Sequence, residues 1–267
     1  MNKKVVLITG GSSGIGKSIG IYLTEKGFTV YGTTRNLKKY SDFNHFILLE
    51  LDVTLKETIT TAVTSLIKKE GQLDILINNA GVGITGPIEE TPVEEINKAF
   101  DTNFNGPIRM MQVVLPQMRK QKKGLVINIS SIAGGMGLPY RGVYSATKGA
   151  LSIATEALRM ETKDFGIQIT DLAPGDFATN IAAGRYHSPN EISAYPAYSN
   201  VLKMINDDVD AAQNPIEVAK KVYAIITNSN PKVHYKVGTF MQKFSLTLKR
   251  ILPDTLYEKL LLNHYKL

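Results

Sequence analysis

Short apolar runs recur along this chain at intervals too wide for hairpins, and no other feature constrains the fold as much. Val5–Ile8, Phe28–Thr33, Phe46–Leu51, Leu73–Ile77, Leu125–Ile129 and Ile167–Leu172 read as strands, short and predominantly apolar. Strands that lack polar alternation are buried on both faces. Between them lie segments of helical length and period over 15–26, 54–70, 92–118 and 143–164, the third broken near Gly106-Pro107. Gly27 and Gly71 suit the ends of the first two, and Thr54 with Glu57 reads as a capping box opening the second. Residues 176–212 read as irregular and polar, Pro215 opens a helix to about Thr227, and His234–Val237 is a last short strand. This alternation predicts an α/β fold: a doubly wound parallel sheet with helices on both faces.

The composition removes several function classes. Without cysteine there is neither a disulfide frame nor thiolate chemistry. No apolar stretch approaches the ~18 residues of a membrane span. The opening Met-Asn-Lys-Lys precedes only four apolar residues and then glycines, which reads as a buried strand and not a signal peptide, so a cytoplasmic protein is expected. The net charge is +7, of which +5 falls between Lys232 and Leu267. Positive charge is therefore a property of the tail and not of the sheet, and no nucleic-acid partner is expected.

Two stretches carry chemistry. Gly10, Gly14 and Gly16 stand between the first strand and its helix, together with Ser12, Ser13 and Ile15. Glycines there let backbone N–H groups approach a pyrophosphate at the positive helix end. Farther on, Tyr144 and Lys148 stand one helical turn apart, on one face and about 6 Å along the axis. An ammonium ~5 Å from a phenol, at an effective dielectric of ~20, is worth roughly 3 kcal/mol, or two pKa units, towards the phenolate. Ser131 follows the strand Leu125–Ile129, placed to aim a hydroxyl at the oxygen that Tyr144 protonates.

Thr9-Gly10-x-x-x-Gly14-Ile15-Gly16, Asn78-Asn79-Ala80-Gly81, Asn103, Ser131, Tyr144-x-x-x-Lys148 and Pro174-Gly175 occur in that order. The set resembles the short-chain dehydrogenase/reductase superfamily over roughly residues 3–240. The resemblance implies a single Rossmann-type domain with a seven-stranded parallel sheet over 1–238, a substrate loop over 180–211, and a C-terminal helical extension over 239–267. It implies that Tyr144 is the general acid/base and that Ser131 holds the substrate oxygen. Lys148 would bind the nicotinamide ribose and lower the Tyr144 pKa, and Asn103 would anchor a water on the proton's way out. The resemblance also assigns cofactor contacts to Asp52 and Val53, to Asn79, Ala80 and Gly81, and to Pro174, Gly175, Phe177 and Thr179. Asp176 is unusual in that last segment. A homodimer or homotetramer through the helices near 92–118 and 143–164 is implied by the same likeness.

The second strand ends Thr33-Thr34-Arg35, with no carboxylate to hold a 2′-hydroxyl and a guanidinium in reach of a 2′-phosphate. This predicts NADP(H) over NAD(H), by roughly ten- to a hundredfold for one charge-assisted contact. Tyr186, His187, Tyr195, Tyr198 and Met204 are candidates to line a pocket over the nicotinamide. Phe240, Phe244, Leu248, Ile251 and Leu252 recur at helical spacing, followed by Leu256, Leu260 and Leu261. A similar ending in hydroxysteroid- and retinol-dehydrogenase-like members implies a hydrophobic carbonyl or alcohol substrate. Packing on the domain is the simpler use of these helices, while the basic tail also suits peripheral contact with anionic lipid. A 3-oxoacyl-thioester reductase and a non-catalytic NADP(H)-sensing protein are the competing readings.

Overall fold

A computed structural model describes residues 3–177, 184–189, 192, 194–210 and 213–267, excepting the side chains of 208–210. The first half alternates β1 (Val5–Ile8), α1 (Gly14–Glu25), β2 (Thr29–Thr34), β3 (Ile47–Glu50), α2 (Lys56–Glu70) and β4 (Ile75–Asn78). There follow β5 (Ile84–Thr85), α3 (Val93–Phe100), α4 (Gly106–Gln121), β6 (Gly124–Ile129), α5 (Gly142–Glu161) and β7 (Ile167–Pro174). The chain ends with β8 (Tyr186–His187), α6 (Tyr198–Asp210), α7 (Ile216–Thr227), β9 (His234–Val237), α8 (Phe240–Ile251) and α9 (Asp254–Tyr265).

Seven strands form one parallel sheet in the order β3-β2-β1-β4-β6-β7-β9. One face packs Leu7, Leu76 and Val126 against Ile59, Val63 and Leu66 of α2 and Met110, Val114 and Met118 of α4. The other packs Val6, Ile8, Ile77 and Ile127 against Ile19 and Leu23 of α1 and Val218, Val222 and Ile225 of α7. Strand order reverses at β1, so its C-terminal end and that of β4 flank a crevice, where open α/β sheets place their ligands.

Local structure departs from expectation in four places. Helix α2 starts at Lys56 with no side-chain cap, because Asp52 Oδ1 accepts from Thr54 N (2.9 Å) and Thr54 Oγ1 (2.7 Å). That local turn competes with the capping box and wins. The helical break lies at Asp101–Asn105, a single π-turn, while Gly106-Pro107 instead opens α4. Pro107 has no N–H to direct at the Asn103 carbonyl four residues earlier, so the α-helical ladder fails there. Between 176 and 212 the chain is not irregular throughout, since α6 packs Val201 and Ile205 inward. Strand β8 pairs in parallel with β5, Ile84 beside Tyr186, to form a second small sheet.

Candidate active site

The crevice opens into a cavity of about 800 Å³. Glycine geometry shapes one end. Gly10 (φ 64°) and Gly14 (φ 52°) adopt left-handed backbone, which costs a residue with a Cβ roughly 1–2 kcal/mol. Gly16 does not border the cavity. A Cβ there would stand 2.4 Å from the Gly10 carbonyl oxygen, so this glycine closes the turn onto the helix. Asn79 secures the same turn by donating from Nδ2 to the Thr9 and Gly10 carbonyls at 2.9 and 3.2 Å. Thr9 Oγ1 in turn accepts from the Asn79 and Ala80 amides.

Gly10, Ser12, Ser13, Gly14 and Ile15 border the cavity at the start of α1, whose first turn carries no acidic side chain. Positive helix ends with free N–H groups fit a pyrophosphate. Thr34 and Arg35 border it at the end of β2, joined by Asn36 and Lys39. Lys39, a second cation beside the expected one, lies in a polar turn whose sequence carries no motif. Asp52, Val53, Asn79, Ala80 and Gly81 border the same space, as do Pro174, Gly175 and Phe177. Thr179 lies outside the described residues.

Strand β6 delivers Ser131 and α5 delivers Tyr144 and Lys148 to this cavity. Ser131 Oγ accepts from the Ala133 amide at 3.1 Å, which caps the turn Ile132–Gly135, and reaches the Pro174 carbonyl at 3.5 Å. Lys148 is buried and donates from Nζ to the Ile129 carbonyl at 3.0 Å. Burial lowers its pKa to about 8. Tyr144 differs from expectation. Burial holds its hydroxyl above the usual tyrosine range, and the charge opposing this most strongly is Arg141, not Lys148. Arg141 Cζ lies 5.7 Å from the Tyr144 ring centroid, one turn earlier on the same helix face.

Asn103 is fully buried and does not border the cavity. Its Oδ1 accepts from the Val82 amide (2.8 Å), and its Nδ2 donates to the Val82 carbonyl (2.9 Å) and Thr147 Oγ1 (3.1 Å).

None of Tyr186, His187, Tyr195, Tyr198 and Met204 borders the cavity. Tyr195 turns out to Glu89, and Tyr198 is buried with its hydroxyl near the Thr85 and Ser188 carbonyls. The loop contributes Gly184 and Arg185 instead, and Arg141 and Asp176 complete this end.

The C-terminal helices pack behind Ser131. Leu246 and Leu248 of α8, Leu252 just past its end and Tyr257 of α9 cover Ile132 and Met136. Gln242 closes a capping box on Thr239 and also donates to Asp176 Oδ2 at 3.0 Å. A Cβ on Gly175 would stand 2.2 Å from Gln242 Oε1, so a side chain there would push the Gln242 amide out of its present seat.

Comparison with known proteins agrees with this geometry. Residues 4–190 match the family model for short chain dehydrogenases. The chain is a member of the short-chain dehydrogenase/reductase superfamily. A 3-ketodihydrosphingosine reductase of Bacteroides thetaiotaomicron is 38% identical over 262 residues, covering 97% of this chain and 96% of the relative. A short-chain dehydrogenase structure from Streptomyces avermitilis is 30% identical with a TM-score of 0.84, covering 100% of this chain and 97% of that one. The structure of ElxO with NADP bound is 31% identical with a TM-score of 0.72, covering 88% and 97%. This superfamily's fold binds a nicotinamide dinucleotide, and the glycine turn and crevice fit that group.

Proposed function

We propose that this short-chain dehydrogenase/reductase is an NADP(H)-dependent enzyme that interconverts a carbonyl and an alcohol on a hydrophobic substrate. The observation that carries the reading is one continuous cavity bordered by Arg35 and Lys39, by the glycine turn, and by Ser131, Tyr144 and Lys148. The nicotinamide nucleotide, when bound, supplies or accepts the hydride. In reduction a C–H bond forms at the carbonyl carbon, and the Tyr144 hydroxyl gives its proton to the carbonyl oxygen. Burial keeps that hydroxyl protonated at neutral pH, which suits an acid in the reducing direction. Ser131 steadies the same oxygen as charge develops on it. Lys148, with a pKa near 8, is suited to restore the proton and to hold the ribose hydroxyls.

Arg35 and Lys39 support NADP(H), because a 2′-phosphate there gains charge-assisted hydrogen bonds that a 2′-hydroxyl does not. The NADP-bound ElxO structure supports the same choice. The Bacteroides relative, named for reduction of a ketone, supports the reaction class and a lipid-like substrate. The outer face of the C-terminal extension fits peripheral contact with anionic lipid. Phe240, Met241 and Ile251 are 71, 64 and 67% exposed, and Lys243, Lys249 and Arg250 share these helical turns. Among the described residues no helix is long and apolar enough to cross a membrane.

The test is loss of reduced-cofactor absorbance, with NADPH or NADH, across ketones, aldehydes and acyl thioesters. Consumption of NADPH with a ketone or aldehyde is expected. No turnover of any of them, or equal use of NADH, contradicts the corresponding half of the reading.

A further inference from the structure

Two guanidiniums stand at the substrate end of the cavity, where carbonyl reduction itself uses none. Arg141 reaches it from the start of α5 and Arg185 from the segment before β8, and both border the cavity together with Ser131 and Tyr144. Arg141 Nη2 is 3.7 Å from Asp176 Oδ1, beyond hydrogen-bond reach. The other Asp176 oxygen is taken by Gln242. Arg185 lies over Gly83, where a Cβ would stand 2.9 Å from its Cγ, and its Nη1 donates to Asn206 Oδ1 at 3.2 Å. Among the described residues Arg185 has no ion pair.

Like charges held together and partly out of water repel and are poorly solvated. Burial and the Arg141 charge both depress the Arg185 pKa, as this placement requires. Asp176 is a single carboxylate facing both guanidiniums, 3.7 Å from Arg141 and also favouring the Arg185 charge, so one positive charge of the pair stays uncompensated. The cofactor's phosphates do not supply it, since the glycine turn, Arg35 and Lys39 are placed to take them. An ammonium-bearing ketone would meet two cations here. An oxyanion would meet two planar donor groups suited to its geometry.

We propose that the substrate carries a carboxylate or phosphate close to its reacting carbonyl, and that Arg141 and Arg185 hold this group while Ser131 and Tyr144 address the carbonyl oxygen. The proposal rests on the carbonyl-reductase reading and specifies the head group of that substrate. Asp176 then acts as the counter-charge that keeps Arg141 in place between turnovers.

The test compares wild type, Arg185→Gln and Arg185→Lys on ketones of one chain length. These are 3-oxodecanoate, its methyl ester, a ketone phosphate monoester and a 2-amino ketone. Wild type is expected to prefer one of the two anions over the ester by at least about tenfold in kcat/KM. Which anion is preferred tells carboxylate from phosphate. Arg185→Gln is expected to narrow that preference about tenfold or more, Arg185→Lys to recover part of it, and the Kd for NADPH to stay within about twofold of wild type in both. Preference for the ester or the amino ketone overturns the proposal. So does an equal loss on all four ketones, or weaker NADPH binding by Arg185→Gln. Turnover of the ester without any anion preference leaves the carbonyl-reductase reading standing, whereas no NADPH consumption with any of the four sinks both.

Discussion

Asn103 and Val82 are tied by a reciprocal pair of hydrogen bonds, 2.8 Å into Asn103 Oδ1 and 2.9 Å from its Nδ2. Asn103 sits in the π-turn between α3 and α4, and Val82 lies just past β4. The pair therefore fixes the strand end that borders the cavity to the helix behind it. Asn103→Leu is expected to strand the Val82 amide and carbonyl. The loss is about 2–4 kcal/mol in urea unfolding, with activity falling in parallel. Unchanged stability would mean that the amide pair is not holding this junction.

Cofactor choice is expected to reside in Arg35 and Lys39. Replacing either with Ala raises the KM for NADPH about ten- to a hundredfold and changes the KM for NADH by less than about threefold. Steady-state kinetics with both nucleotides measures this. An equal rise for both would move the arginine's role from the 2′-phosphate to the general fold of the loop.

Much of this architecture was legible in the chain. The central strands β1, β4 and β6 are largely apolar and buried along their whole length, as parallel strands covered on both faces have to be. The glycine turn was legible because two of its residues need positive φ, and the Tyr144–Lys148 pair because one helical turn fixes their shared face. What escaped depends on contacts between distant segments. Strands β5 and β8 have two residues each and lie about a hundred residues apart, too short to show a period. Arg141, Arg185 and Lys39 lie in connecting segments or at a helix start, outside any motif, where nothing local distinguishes a cavity cation from a solvated one. Gln242 reads as a capping residue, and only folding brings it to Asp176.

The pH dependence follows from burial. Alcohol oxidation needs Tyr144 deprotonated, and its pKa is raised, so oxidation is expected to climb with pH through the alkaline range. Reduction needs the protonated form and is expected to hold steady through neutral pH. Arg141 opposes the rise, so Arg141→Gln moves the oxidative limb to still higher pH. A pH–rate profile in both directions, with D₂O controls, checks the sign. A shift to lower pH would show that the guanidinium does not favour the phenolate.

Tail contact with lipid is expected to be weak and electrostatic. Vesicles of phosphatidylcholine with one-third phosphatidylserine are expected to pull down the full chain at low salt and release it near 0.5 M NaCl, where the Debye length falls to about 4 Å. Deleting residues 239–267 also exposes Ile132 and Met136, so Phe240→Ser with Met241→Ser is the cleaner variant. Binding that survives both the salt and the double substitution would place the contact elsewhere.

The most direct measurement is single-turnover NADPH oxidation by Tyr144→Phe beside its NADPH affinity, with a ketone that wild type reduces. The variant is expected to bind NADPH as wild type does and to reduce the ketone about 10²- to 10⁴-fold more slowly. Reduction at the wild-type rate would contradict the assignment of Tyr144 as the proton donor.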